Sequence, residues 1–575
     1  MTGELYINGI DVYREFGITP MKGTFNEVMK PVTVKSPLAV ELENEHGEVT
    51  LFPNNMTLLE ARDFTIPLAI VAYNSNDFFD KKARFESMLQ SGTFLMFFPK
   101  INLAMTCYLK EVTQYTQLEP IQVNAGKRVS AVINLSLREP NPSKRGLNKE
   151  EHAYGVIIDE NQPNPDLQRI GNEDMAKNAV VNELAVQGTL DQYGYLKRFN
   201  KTNGLLYADG SPSIIDGSAG NVMTHMPPFY YLVEDNSETV HKLWVSPYPI
   251  PGFDVHPGFT IGSFKAAASN SPIFGRPANT LWSVANSNIE FRGGNNDPTN
   301  DALEKGFLGK ARTVLSRTNF RAFAQNQGPD YGLIDYNTHV ALFMLFVTKY
   351  ATLNSQKSVG DKVNGYFAGG LGAGLTNVPS TDWGNYNGYY PLVKCGLTLQ
   401  MGLIDGETDC VIQNFNAGGN LTVKINNFMG IENPFGDLWE WTQGINIWKQ
   451  TEAEGNKFLA YIYNNNVYED SITTKYSRIF EFGKTGDGWL RKIVMGKYFD
   501  TLGVEIGNGA SSSTYYTDYF YNALATGYRG LLRGGIANGG AYAGLAFADT
   551  LNAVSSANAR VGSRLGYYGR VRPGL

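Results

Sequence analysis

Short apolar stretches dominate the first 138 residues of the chain. They read TFLMFFP from residue 93, MTCYLKEV from residue 105 and SAVINLSLR from residue 130. Their alternation of apolar and polar positions predicts half-buried β-strands. One stretch from residue 77, DFFDKKARFESMLQS, instead predicts an amphipathic helix, because its apolar residues recur at nearly helical spacing. These apolar residues are Phe78, Phe79, Phe85 and Leu89. We therefore expect a β-sandwich with one helix over residues 1–138.

The pattern changes after residue 138. Residues 139–151 are rich in proline and charge, which is typical of a linker. Residues 152–220 alternate short apolar strands with Asp-Gly and proline-rich turns, which predicts a β-rich intermediate region. The remaining residues, 221–575, are expected to form an α+β domain. The whole chain is then a multidomain, β-rich protein.

Two helices are predicted inside the last domain, within residues 310–326 and 333–356. In the second, Leu342, Leu345, Phe346 and the pair Lys349 and Tyr350 recur every three to four residues. This spacing predicts a helix with one buried face.

The amino-acid composition supports the β-rich fold class and restricts the kinds of partner that the protein could bind. The 575 residues include 61 Gly, 32 Tyr and 32 Phe, with 18% charged residues, a mixture that suits strands and loops. The net charge of −6 and the lack of a long basic run argue against nucleic acid as a partner. We expect the protein to be synthesised in a cytoplasm and not to insert into a membrane, because neither a signal peptide nor an apolar stretch of 18 residues is found.

Metal and cofactor chemistry is not expected from the residues present. Cys107, Cys395 and Cys410 match no zinc-site spacing and are interpreted as buried thiols, although Cys395 and Cys410 could lie close enough to pair. The six histidines form no short metal-binding spacing. We therefore predict no metal site and no cofactor.

One acidic pair, Asp437 and Glu440, is a candidate for catalysis. Residues three apart on a strand face opposite sides, so the two carboxylates could not share a substrate. Because a lone buried charge is costly, we expect Glu440 to pair with a buried arginine such as Arg533 or Arg564. No catalytic residue is predicted.

The first 138 residues resemble the β-domain of phage distal tail proteins. The resemblance rests on LYINGIDVYREFGI as an opening strand pair, on DFFDKKARFESML as a helix, and on FFP before a hairpin. It implies an adaptor that joins the chain to a phage tail. An ordinary β-sandwich of another use is the alternative, since a fold alone does not fix function.

The end of the chain carries three ordered motifs, NPFGDLWEW, RGG and VGSRL. They resemble the C-type-lectin fold in its formylglycine-generating-enzyme branch. Those enzymes use paired active-site cysteines, and no cysteine follows Cys410 here, so the resemblance implies the fold and not the catalysis. The matching scaffold positions are Asn433, Gly436, Trp439, Glu440, Trp441, Arg533, Gly534, Gly535, Gly562, Arg564 and Leu565.

Residues 150–575 are also similar to variable proteins of diversity-generating retroelements. This group includes the major tropism determinant of phage tails and targets in gut Bacteroides phages. The words that carry the similarity include DLQRIGN, DGSPSIIDGS, YATLNSQ, NGYYP and GIENPFGDLWEW. The similarity implies a receptor-binding tip with a variable region at about residues 511–565.

The variable surface is predicted from two stretches. Between RGG and VGSRL the residues follow neither strand nor helix periodicity, as expected of interchangeable contact residues. The second stretch crowds tyrosines into a predicted loop, with a packed hairpin as the alternative. The predicted contact residues are Tyr515, Tyr516, Tyr519, Phe520, Tyr521, Ile536, Ala537, Asn538, Ala541, Tyr542, Leu545, Asp549, Thr550, Leu551, Ala553 and Asn558.

These observations predict a tail-tip protein of a phage virion, made in the bacterial cytoplasm. We expect residues 1–138 to contact tail-tube or tail-tip proteins and the variable surface to contact a host cell-surface receptor, protein or glycan. A symmetric homo-oligomer, trimer or hexamer, is expected for such an assembly. The alternative is a tail enzyme that degrades surface polysaccharide, which would need a convergent acidic pair in a deep cleft.

Overall fold

The computed structural model describes residues 3–41, 48–51, 57–119, 121, 128–286, 308–416, 419–463, 468–472 and 475–573. The chain divides into two compact units, residues 1–148 and residues 149–574. Strands outnumber helices in both units. The predicted multidomain, β-rich fold class is therefore confirmed.

The first unit is built mainly of antiparallel strands. Its helices are α1 (Val12–Phe16), α2 (Thr24–Val28) and α3 (Ser75–Gln90). Its strands are β1 (Tyr6–Ile7), β2 (Ile10–Asp11), β3 (Ile18–Pro20), β4 (Leu38–Glu41), β5 (Glu48–Leu51), β6 (Arg62–Ala72), β7 (Thr93–Phe98), β8 (Leu103–Gln117) and β9 (Val129–Glu139).

A seven-stranded sheet in the order β2-β1-β7-β8-β9-β6-β3 forms the core of this unit, and β4 and β5 form a separate hairpin. Helix α3 is the predicted helix. It begins after Asn74, whose side chain accepts a hydrogen bond from the Asp77 backbone N–H at 2.9 Å. Phe78, Phe85 and Leu89 are buried, but Phe79 is 51% exposed. The apolar face is thus narrower than the sequence predicts.

Part of the predicted linker, residues 139–151, packs against the first unit through hydrogen bonds. Glu139 ends strand β9 and is buried, and its carboxylate accepts two hydrogen bonds from the Arg145 guanidinium at 2.7 and 2.6 Å. The Gly146 N–H donates to the Ala104 carbonyl at 3.1 Å. The boundary between the compact units therefore falls late in this segment, after Asn148.

The second unit contains helices α4 (Lys149–His152), α5 (Glu173–Lys177), α6 (Arg317–Gln325), α7 (Tyr336–Tyr350) and α8 (Ser380–Asn387). Its first strands are β10 (Tyr154–Asp159), β11 (Gln168–Gly171), β12 (Val186–Leu190), β13 (Tyr195–Asn200), β14 (Asn203–Tyr207), β15 (Asn221–Met226), β16 (Phe229–Asp235), β17 (Val240–Ser246), β18 (Asp254–His256), β19 (Phe259–Gly262), β20 (Ala267–Ser269), β21 (Thr280–Trp282), β22 (Tyr331–Leu333), β23 (Val359–Val363) and β24 (Tyr366–Gly369).

The strands that follow carry the motif-bearing end of the chain. They are β25 (Gly406–Asn416), β26 (Gly419–Phe428), β27 (Ile431–Glu432), β28 (Trp439–Lys449), β29 (Phe458–Ile462), β30 (Arg478–Phe482), β31 (Gly488–Met495), β32 (Asp500–Ile506), β33 (Tyr519–Tyr521), β34 (Gly527–Gly534), β35 (Gly544–Asp549), β36 (Val561–Gly562), β37 (Leu565–Tyr567) and β38 (Arg572–Pro573).

Strand pairing crosses the predicted boundary between residues 220 and 221. Strand β12 pairs along its length with β15, and the same sheet continues through β19, β37 and β22. Because hydrogen-bonded strands from both predicted regions share one sheet, residues 152–220 do not form a separate compact region. The structure has one unit where the sequence predicts two.

The three sequence motifs meet in a nine-stranded sheet of order β30-β29-β28-β34-β35-β33-β31-β32, with β36 paired to β28. Strand β28 carries the WEW motif and lies between β34, which carries Arg533, and β36, which carries Gly562. The register places Glu440 opposite both of these residues. Residues distant in sequence therefore form one continuous scaffold.

Helix α7 lies at the centre of the second unit. It begins at Tyr336, where the Asp335 side chain accepts from the Thr338 N–H at 2.8 Å, and it ends before Ala351, whose φ is 51°. Nearly all of its residues are buried, because strands contact it from several sides. The prediction of a single buried face is therefore wrong. Even Lys349 is buried, and its ammonium pairs with Asp405 at 2.8 Å.

Candidate functional site

Four side chains form a compact group of rings that we call the aromatic patch: Trp489, Tyr519, Tyr521 and Tyr542. Tyr519 lies at its centre, with ring centroids 4.3 Å from Tyr542, 4.8 Å from Tyr521 and 5.5 Å from Trp489. Trp489 and Tyr542 are 5.1 Å apart. These separations are those of stacked and edge-on aromatic pairs.

Strand alternation brings the rings to one face. In β33, Phe520 is fully buried while Tyr519 and Tyr521 on either side of it are partly exposed. The register pairs Trp489 of β31 directly with Tyr519. Strand β33 lies within the sheet, between β31 and β35. Tyr519 and Tyr521 thus belong to a short sheet strand and not to the loop that the sequence predicts, whereas Tyr515 and Tyr516 lie in a buried turn before it.

A turn after the RGG motif supplies Tyr542, which is 39% exposed. The Gln356 side-chain amide holds this turn by donating to the carbonyls of Gly540 at 2.8 Å and Ala543 at 2.6 Å. Gly535 has a φ of 85°, and a Cβ at this position would lie 2.5 Å from the Ala543 Cβ. Glycine is therefore required where the chain enters the turn.

The hydroxyls of Tyr519 and Tyr521 stay protonated at neutral pH. Burial raises the pKa of Tyr519, and burial together with the neighbouring tyrosines and the carboxylates of Asp549 and Asp487 raises that of Tyr521 to about 12. Asp487 is exposed at the surface beside the rings. The patch is thus an uncharged set of rings next to a carboxylate.

Other predicted contact residues are exposed to different degrees. Ala541, beside Tyr542, is exposed. Asn538, Leu551, Ala553 and Asn558 are partly exposed. Their side chains reach solvent, as the predicted variable surface requires.

The remaining predicted contact residues lie in the core, so the prediction that they form a surface is wrong. The reason is that they occupy inward positions of strands and tightly bonded turns. Tyr516, for example, donates from its hydroxyl to Glu160 at 3.2 Å, and the Thr550 hydroxyl donates to Asn522 Oδ1 at 2.8 Å. The buried residues are Tyr515, Tyr516, Phe520, Ile536, Ala537, Leu545, Asp549 and Thr550.

The sequence does not single out Trp489 as a candidate contact residue. Trp489 occurs in the word GDGWLRKI, and aromatic residues spaced as in this region are typical of a packed core. Its partial exposure depends on the pairing of β31 with β33.

The scaffold positions are buried apart from Trp439, which is half-buried. Glu440 lies in an ion cluster with Lys265 and Arg564, each of which donates to its Oε1 at 2.9 Å. Burial alone would raise the pKa of Glu440, but Arg564 and Lys265 hold it at about 2. The predicted pairing of Glu440 with Arg564 is confirmed.

Arg533 has different partners from those predicted. Its guanidinium donates to the carbonyls of Ala546 at 3.1 Å and Phe547 at 3.2 Å, and to the Thr501 hydroxyl. It also lies over the Tyr336 ring at 5.7 Å. Arg533 therefore joins β34 to β35, β32 and helix α7 instead of neutralising Glu440.

A buried carboxyl, Glu432, gives the second unit a pH dependence. It accepts hydrogen bonds from the backbone N–H groups of Gly396 at 3.0 Å and Thr398 at 2.8 Å. Burial raises its pKa to about 7. A raised folded-state pKa stabilises the fold below the unfolded value near 4.5, and this contribution is lost as pH rises through 7.

We therefore expect Glu432→Gln to gain stability relative to the parent as pH rises from about 4.5 to 7, by on the order of 3 kcal/mol in total. Urea denaturation of both proteins at pH 5, 6, 7 and 8, followed by tryptophan fluorescence, measures this difference. A difference that stays constant with pH, or changes in the opposite direction, would contradict the assignment of the titration to Glu432.

The three cysteines are not joined in disulfides: Cys107 is buried, and Cys395 and Cys410 are partly buried. Across the described ranges, no three His, Cys, Asp or Glu side chains are grouped so that they could hold a metal ion. Within the same residues, every helix is too short or too polar to cross a membrane.

Neither a protein-family model nor a curated protein matches the chain. Among solved structures, the SPP1 Dit protein, described as a paradigm of the hub adsorption apparatus in phages that infect Gram-positive bacteria, is 8% identical. That match covers 45% of this chain and 77% of the other, with a TM-score of 0.16. The U1 and M1 variants of the Major Tropism Determinant are each 14% identical and cover 62% of this chain and 73% of theirs, with TM-scores of 0.18. The chain is thus similar to a phage hub protein and to a tropism determinant. The sequence identities and TM-scores are too low to carry an argument about its function.

Proposed function

We propose that the chain is a tail-tip protein of a bacteriophage, which binds a host cell-surface receptor through the aromatic patch. The observation that carries this proposal is the patch itself, a group of solvent-facing rings held by sheet strands and a bonded turn. Tyrosine and tryptophan supply large contact areas at low entropic cost, and they are enriched among residues that dominate binding energy. The resemblance of both ends of the chain to phage tail proteins supports the same role.

Attachment to the virion is assigned to residues 1–138, which contact tail-tube or tail-tip proteins as a trimer or hexamer. Their sheet and core belong to a compact unit of their own, as an adaptor requires. The exposed positions within residues 511–565 are the ones that a diversity-generating retroelement could vary on a C-type-lectin-like scaffold.

Binding proceeds without catalysis in this proposal. The acidic pair considered from the sequence, Asp437 and Glu440, is buried, and Glu440 is bonded to two cations. Burial raises the pKa of Asp437 to about 6. Neither carboxyl is placed to meet a polymer substrate at the surface.

Adsorption of the labelled full-length chain to a panel of bacterial strains tests the proposal. We expect binding to a subset of strains, and we expect Tyr542→Ala to weaken that binding by about 30-fold, the effect of removing one dominant contact side chain. The turn should persist in this variant because Gln356 bonds its backbone carbonyls.

The matched control is Tyr193→Ala, which removes an exposed tyrosine of a turn far from the patch in sequence. It should bind like the parent. Thermal midpoints of both variants show whether folding is intact. Adsorption to no strain, or equal adsorption by the Tyr542→Ala variant and the parent, would overturn the proposal.

A further inference from the structure

The aromatic patch carries polar groups that the chain itself does not use. Within the described residues, the hydroxyls of Tyr519, Tyr521 and Tyr542 and the indole N–H of Trp489 have no hydrogen-bond partner. Each is therefore free to bond a ligand. The raised pKa values of Tyr519 and Tyr521 keep their hydroxyls protonated, so they can donate as well as accept.

The spacing of the rings decides what shape can bind. Centroid separations between 4.3 and 6.4 Å leave no gap between the rings into which an apolar side chain could insert. A ligand must instead lie on top of the rings. A flat apolar face with polar groups along its rim fits such a surface, because the rim can reach the free hydroxyls.

The charge beside the aromatic patch further restricts the class of ligand that can bind. The Asp487 carboxylate accepts from the Asn522 N–H through Oδ1 at 2.6 Å and is exposed beside the rings. Lys449, whose ammonium interacts electrostatically with Asp487, is buried and donates to the Ala523 carbonyl at 2.9 Å. An anionic ligand would be repelled by the exposed Asp487 carboxylate, whereas that carboxylate readily accepts from the hydroxyl groups of a neutral ligand.

We infer that the aromatic patch binds a neutral sugar ring of a bacterial surface polysaccharide, which lies with its C–H face on the tyrosine and tryptophan rings. Its hydroxyls bond Asp487 and the free tyrosine hydroxyls. This inference rests on the proposed function of the patch and names its ligand class. A protein receptor is the competing class that the test separates.

The test uses the full-length chain on an array of purified neutral and acidic bacterial surface polysaccharides. We expect binding to neutral glycans, weakened by about 30-fold in Tyr542→Ala and in Asp487→Asn and unchanged in Tyr193→Ala. In parallel, strains that adsorb the chain are treated with periodate, which cleaves vicinal diols, or with protease. Periodate should abolish adsorption and protease should not.

The outcomes separate the ligand class from the function. If protease treatment removes adsorption and no polysaccharide on the array binds the chain, the sugar ligand is overturned but the receptor-binding function is retained. Binding to acidic glycans alone overturns the neutral class. Array binding without adsorption to any strain supports the sugar site and counts against the host-receptor role. An empty array together with no adsorption overturns both.

Discussion

Glu440→Ala is expected to destabilise the second unit by about 3–5 kcal/mol. The substitution leaves the ammonium of Lys265 and the guanidinium of Arg564 buried without their shared carboxylate. Arg564 also donates to the carbonyls of Gly262 and Glu432, so it cannot turn outward to water without breaking those bonds. The loss therefore reflects two uncompensated buried cations, not the net value of an ion pair.

Chemical denaturation of the parent and the variant measures this loss. Glu481→Ala is the matched control, because Glu481 pairs with Lys457 at 2.8 Å but both side chains are about half exposed; we expect a change of about 1 kcal/mol or less. The depressed pKa of Glu440 adds a second signature. Its contribution is present above pH 4.5 and is lost as pH falls towards 2, so the difference between parent and variant should shrink in acid. Equal losses in Glu440→Ala and Glu481→Ala would refute the role of the cluster.

Phe343→Ala should cost a similar amount, about 3–5 kcal/mol, by opening a cavity at the centre of the second unit. Phe343 is fully buried on helix α7, and its ring stacks on Phe499 with centroids 5.9 Å apart. The Tyr516 ring centroid also lies 6.5 Å from that of Phe343. Strands surround the helix, so the cavity can close only if several strands move together.

A phenylalanine on a helix surface provides the comparison. Phe79 of α3 is 51% exposed, and Phe79→Ala should change stability by no more than about 0.5 kcal/mol. Thermal and denaturant midpoints of both variants check the contrast. If Phe343→Ala unfolds at the parent's midpoint, helix α7 is not the structural centre of this unit.

Local patterns predicted local structure well in this chain. The alternation around residues 93, 105 and 130 correctly predicted β7, β8 and β9, and the spacing of Phe78, Phe85 and Leu89 correctly predicted α3. Ion pairing was also predictable: a buried carboxylate must find a cation, and Glu440 does so with Arg564. In each case a few neighbouring residues, or one simple charge rule, contain the information.

The exposure of the candidate site could be predicted only in part, because long-range strand pairing decides it. Tyr519 and Phe520 are chemically similar neighbours, but the register of β31, β33 and β35 turns one outward and the other into the core. The lack of periodicity between RGG and VGSRL was interpreted as free variation. In the structure it reflects turns and inward strand positions, such as Ile536 and Leu545, that pack against other elements.

Along β33, Tyr519 and Tyr521 are partly exposed while Phe520 between them is buried. This alternation has a practical consequence for engineering new binding specificities. A randomised gene library built on this chain should vary the codons of Trp489, Tyr519, Tyr521, Ala541 and Tyr542 and keep Phe520 and Gly535 constant. Contiguous randomisation from 519 to 521 would mutate the fully buried Phe520 in nearly every clone. Interrupted randomisation leaves the buried Phe520 in place, so selection for binding acts on the proposed contact residues and not on survival of the fold.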